Sequence, residues 1–118
     1  MPAGTVDETF AGRPAYQRAA YDAIIAHVES LGPVHVDAVG VGVFLYADRK
    51  FAEIRPMARA LSVYIFAPNA VAHPRLARSS RIGADRIWSV LRLHGPDDVD
   101  DDLLAAISAA YDEATSPA

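Results

Sequence analysis

The chain has 118 residues, a net charge of -4 and no cysteine, which is the size of one ordinary domain able to bury roughly two thirds of the surface its unfolded form exposes. The missing cysteines exclude a disulfide framework, a thiolate zinc site and a cysteine nucleophile. Met1 to Gly4 leads into Asp7 and Glu8 rather than into a charged start and an apolar run, and no stretch nears the ~18 apolar residues of a membrane span, so a cytoplasmic protein without membrane contact is expected.

Residues 1–12 are small and polar with no periodicity that demands burial, and they predict a flexible arm ahead of a single domain over residues 13–118. Pro14 suits a first helical turn. Tyr21, Ile24, Ile25, Val28 and Leu31 then recur at helical spacing until Gly32-Pro33 stops the pattern, which predicts a helix over about 15–30. From Val34 to Tyr46 the chain is β-branched and almost wholly apolar, and reads as one strand, since Gly40 and Gly42 each cost a helix about 1 kcal/mol. Those glycines also mark a bulge or a close backbone approach. They form no phosphate loop, which needs a Lys-Ser/Thr pair and a following helix.

Phe51 to Pro68 reads as two strands folded back through Met57 to Arg59. The second alternates cleanly, with Leu61, Val63 and Ile65 on one side and Ser62, Tyr64 and Phe66 on the other. Pro56 lacks a ladder donor and belongs at a strand end, an edge or a bulge. Asn69 to Arg86 is turn-prone and irregular. Arg75, Arg78 and Arg81 are spaced so that one helical turn would gather them within about 120°. Ile87 to His94 alternates again as a last strand, and after Pro96 a helix is expected with Leu104, Ile107, Tyr111 and Ala114 on one face. The sum is an α+β two-layer sandwich: a four-stranded, mainly antiparallel sheet with the N-terminal and C-terminal helices packed on one face. Its other face would carry Phe44, Tyr64, Phe66 and Trp88 beside arginines, as a binding surface or a dimer contact.

Charge is segregated along the chain. Residues 49–92 carry +7, residues 1–48 carry -4 and residues 93–118 carry -7. A basic middle favours an anionic partner unless the acidic ends neutralise it within the fold. Arginine forks match phosphate and carboxylate, so Arg55, Arg75, Arg78, Arg81 and Arg86 are the candidate anion-binding residues. An anionic ligand or nucleic acid is the expected partner, with a homodimer as the alternative. No cofactor and no metal site are expected. The four histidines show no helical metal spacing, although His35 and Asp37 would share a strand face and His73 lies among arginines. Asp97 to Asp102 lacks the glycine and distal glutamate of a calcium loop, and Asp98 or Asp100 reads as a helix cap. No Ser, Thr or Lys has an identifiable base partner, so a binding module is favoured over a small enzyme that would gather Glu53, Asp85 or a histidine with arginines around an acidic substrate.

The phrases FAEIRP, HPRLARSSRIGADRI and LRLHGPDDVDDDLLAAISAAYDEA resemble a family of bacterial domains of unknown function known as DUF5655, over about Tyr21 to Glu113. The resemblance implies a compact α+β domain and no established activity. Relatives place lysines after the Arg-Pro step, where this chain has Met57-Ala58-Arg59-Ala60, and a histidine near the position of Ser89.

Overall fold

The computed structural model describes residues 4–116. The chain runs through helix α1 (Val6–Phe10), helix α2 (Ala15–Leu31), strands β1 (His35–Val39), β2 (Gly42–Tyr46), β3 (Lys50–Pro56), β4 (Leu61–Ala67), β5 (Leu76–Gly83) and β6 (Arg86–Leu93), a 3-10 turn (Pro96–Asp98) and helix α3 (Asp101–Thr115). The six strands form one antiparallel sheet in the order β1-β2-β3-β4-β6-β5. An α+β architecture holds, but the expected four-stranded sheet with two helices is wrong.

Two local features account for the extra strands. The apolar run 34–46 is a hairpin: Val39 pairs with Gly42 across Gly40-Val41, and β1 lies antiparallel on β2. Its composition is β-forming throughout, and it lacks the Asn-Gly or Asp-Gly that usually announces a two-residue turn. The stretch read as an irregular connection contains β5, exposed along its length beyond Leu76. A strand buried on neither face shows no alternation to read. Arg75, Arg78 and Arg81 therefore do not share a helical turn. Arg75 precedes β5, while Arg78 and Arg81 pair with Val90 and Ile87 on β6 and so point to opposite faces.

One side of the sheet is the core. Val43, Leu45, Ile54, Val63, Ile65 and Leu91 pack there against Tyr21, Ile24 and Val28 of α2 and Leu103, Ile107 and Tyr111 of α3. Leu103, rather than Leu104, joins Ile107 on the buried stripe of α3. Of the segment read as an arm, residues 1–3 lie outside the described residues; Val6–Phe10 is helical, capped by Thr5, with Phe10 in the core. Pro56 closes β3 opposite Leu61, at a strand end as its missing donor requires. Gly42 is forced by packing. A Cβ there would run into the carbonyl oxygen of Ile54 and lie 3.1 Å from the Cα of Arg55, so β2 lies close against β3 only with glycine at that position.

Candidate functional site

The face of the sheet turned away from the helices gathers part of the basic middle of the sequence. Strand register fixes its pattern, because directly paired residues share a face. One row runs Asp37, Phe44, Glu53, Tyr64, Val90 and Arg78. On one side of it Arg55, Ser62 and Arg92 form a row, and on the other Phe66 pairs with Trp88. Phe44, Tyr64, Phe66 and Trp88 thus do lie together opposite the core.

The centre of this face is a cleft of about 300 Å³ lined by Lys50, Glu53, Arg55, Tyr64, Phe66 and Trp88. Glu53, with a side chain 6% exposed, is its floor. One carboxylate oxygen accepts from Lys50 Nζ at 2.5 Å, and the other from Arg55 Nη2 at 2.6 Å and Nε at 3.0 Å. A lone carboxylate at that depth would be heavily penalised, and two cations on it remove the penalty. The trio keeps one net positive charge.

The cations also lie on the rings. Lys50 Nζ is 4.4 Å from the Phe44 centroid and 5.1 Å from that of Phe66. The guanidinium of Arg55 lies 4.7 Å from the Tyr64 ring and that of Arg78 5.2 Å from the Trp88 ring. Cation–π attraction holds each head group over an apolar surface. Tyr64 and Trp88 tilt against each other at 5.8 Å, both only half-buried, whereas Phe66 is buried.

The five candidate arginines do not all reach this face. Arg55 lines the cleft and Arg78 flanks it over Trp88. Arg86 reaches across the sheet end, donating to the Lys50 carbonyl at 2.8 Å and lying 3.7 Å from Glu113. Arg75 is paired with Asp98 at 2.9 Å. Arg81 points to the opposite face and donates to the Ala84 carbonyl at 3.0 Å. Sequence reasoning left Lys50 and Arg92 out of the set. Lys50 had no strand phase that placed it with Phe44 and Phe66, because a bulge between Leu45 and Tyr46 shifts the register; Arg92 follows directly from the alternation of β6.

The acid–base groups are dispersed. Asp85 lies in the β5–β6 turn. His73, its side chain 1% exposed, accepts the Arg75 backbone N–H at Nδ1 and faces Asp100 from Nε2 at 3.0 Å. That geometry places the ring proton on Nε2 and commits both nitrogens to joining the β4–β5 connection to the start of α3. Asp100 caps α3 by accepting from Leu103 N at 2.8 Å, and this bond, together with His73, holds its carboxyl below the usual aspartate range. His27 meets Ser108, and His94 meets the Arg59 carbonyl. Among the described residues no three His, Asp or Glu side chains cluster as metal ligands, and no helix is long and apolar enough to cross a membrane.

Two other cavities lack this chemistry. One of about 380 Å³, at the α2–β1 link, has Asp48 and His35 in its wall but no Lys or Arg. One of about 270 Å³, between the β4–β5 connection and α3, is walled mainly by alanines.

A six-stranded antiparallel sheet with helices on one side, and an aromatic and basic cleft on the other, defines a small α+β domain. The chain belongs to the family described as Domain of unknown function (DUF5655), which it matches over residues 6–114. No curated protein and no solved structure matches the chain.

Proposed function

We propose that this domain is a non-enzymatic binding module that takes an anionic partner on the open face of its sheet. The observation carrying this reading is the cleft itself: Lys50, Arg55 and Arg78 held over aromatic rings, with Glu53 as the only acid lining it. Ring-bound guanidinium groups are pre-ordered, so they lose little side-chain entropy when they engage a phosphate or carboxylate. Half-buried Tyr64 and Trp88 add flat apolar surface against which such a ligand can lie.

The self-association alternative, in which arginines of one copy meet acids of another, draws less support, because Glu113 and Asp98 already bind Arg49, Arg86 and Arg75 within one chain. A small enzyme draws less still, since Glu53 is saturated by two cations and His73 by two hydrogen bonds.

Trp88 is the single tryptophan and sits in the cleft, so its fluorescence reports occupancy directly. Titration with a short single-stranded oligonucleotide and with polyglutamate should shift that fluorescence, and the affinity should fall steeply between about 50 and 300 mM salt. Arg55→Ala and Arg78→Ala should each weaken binding about tenfold, with Arg59→Ala as the control outside the cleft. Salt-independent binding, or none to either polyanion, would refute the reading.

A further inference from the structure

We infer that the free edge of β5 is a strand-addition site for an extended acidic polypeptide segment carrying two carboxylates three residues apart. The two edges of the sheet are unlike. β1 has five residues, is partly covered and has α1 against it. β5 has eight residues, bonds only to β6 within the sheet, and is exposed on both faces from Ala77 to Gly83. Its outer N–H and C=O groups form an unpaired row, the template to which another strand adds.

Charge decides what that strand is. Arg78 and Arg81 stand three residues apart on opposite faces of β5, and neither forms an ion pair with an acid among the described residues. A second copy of the same edge is disfavoured, because any antiparallel self-pairing gathers four arginines along one short ladder. The register irregularities at Leu76/Arg78 and Arg81/Gly83 flank a regular ladder from Arg78 to Arg81, so the two arginines bracket the run of edge that an added strand would pair with. What repels a copy attracts an acidic strand. An antiparallel segment with one acid opposite Arg78 and another opposite Arg81 places one carboxylate on each face of the extended sheet.

This deepens the anionic-partner reading and rests on it in one respect, that Arg78 serves both the cleft and the edge. The test uses the full chain and a capped eight-residue peptide of Thr and Val carrying two glutamates three residues apart, with a lysine-for-glutamate version as control. Amide hydrogen exchange should slow along β5 on adding the glutamate peptide and stay unchanged with the lysine peptide. R78E/R81E should weaken the glutamate peptide at least about tenfold and rescue the lysine peptide, while R59A leaves both unchanged. The substituted residues are exposed, and an unaltered circular dichroism spectrum separates lost binding from lost fold. Unchanged β5 exchange with the glutamate peptide overturns the inference even where an oligonucleotide still shifts Trp88, which would leave the open-face reading standing. Protection of β5 that grows with protein concentration and needs no peptide overturns it in favour of a second copy.

Discussion

Replacing Glu53 by glutamine should lower stability and raise anion affinity together, and that opposition is the sharpest consequence of the cleft's geometry. The substitution keeps the shape of the side chain but turns an acceptor toward Lys50 into a donor or a neutral oxygen, and removes the charge that Arg55 Nε and Nη2 share. Hydrogen bonds to charged groups contribute about 1.5–3 kcal/mol each, and part of that only offsets the desolvation of a carboxylate at 6% exposure. The side chains of Lys50 and Arg55 are 30% and 32% exposed, so both cations regain water. The loss should therefore fall below the 3–5 kcal/mol of a fully buried pair, at about 2 kcal/mol, or roughly 8 °C in Tm for a domain of this size. Denaturant unfolding followed by circular dichroism and Trp88 fluorescence measures it. The cleft meanwhile gains a full positive charge. At about 6 Å and an effective dielectric near 40, that contributes about 1.4 kcal/mol to an anion, or about tenfold in affinity. A variant as stable as the parent would refute the ion trio. A less stable variant that also binds more weakly would show that Glu53 serves binding by holding Lys50 and Arg55 in place, and would refute the predicted gain in affinity from the freed charge.

Gly42→Ala should destabilise by about 3 kcal/mol in urea unfolding, because its Cβ meets the Ile54 carbonyl, whereas Gly40→Ala, with nothing within 4 Å of the new methyl, should leave the midpoint almost unmoved. Asp100 has a folded pKa lowered first by the Leu103 N–H and then by His73, so its contribution to stability is present above the ordinary aspartate range and lost as pH falls through the lower folded value. Asp100→Asn keeps a capping oxygen but not the charge, so the variant should be less stable than the parent at neutral pH, converge on it in acid, and show a shallower acid limb in a pH series of thermal melts.

The elements that bury one face were legible in the sequence, and those that bury neither were not. Helix α2 appears at Ala15–Leu31, and β4 and β6 keep the alternation of Leu61–Ile65 and Ile87–Leu93, because a core on one side imposes a period. Strand β5 carries no such period. It is held by its ladder to β6, and a ladder leaves no trace in residue type. Within 34–46 the hydrophobic signal was strong but gave no place for the reversal at Gly40-Val41. The candidate site divides the same way. Alternation correctly grouped Phe44, Tyr64, Phe66 and Trp88, while the arginine set mixed two faces, because Arg75, Arg78 and Arg81 were given a helical geometry in place of an extended one. The capping role of Asp100 was readable from its place before an apolar helix. Its partnership with His73, 27 residues away, was not.

The charge pattern also changes meaning once folded. The acidic C-terminal segment does neutralise part of the basic middle, but at selected points: Glu113 meets Arg49 and Arg86, and Asp98 meets Arg75. These pairs lie where α3 and the segment before it reach strand ends and connections, and they spare the centre of the open face. Asp101 and Asp102 stay in the first turn of α3, where the helix dipole favours them. Positive charge therefore remains on the side of Arg55, Arg78 and Arg92, with Asp37 at the β1 end of that face, and most of the negative charge on the helical layer, across a molecule whose smallest extent is 26 Å. At physiological salt the screening length is about 8 Å, so an anion at the open face experiences the local cations and little of the net charge of -4. At a distance, the molecule as a whole does not attract it. Recognition on such a surface is short-ranged. The affinity of the proposed anion would rest on contacts that slow dissociation rather than on long-range steering of its approach, which is why the rings that hold the cations in place matter as much as the cations themselves.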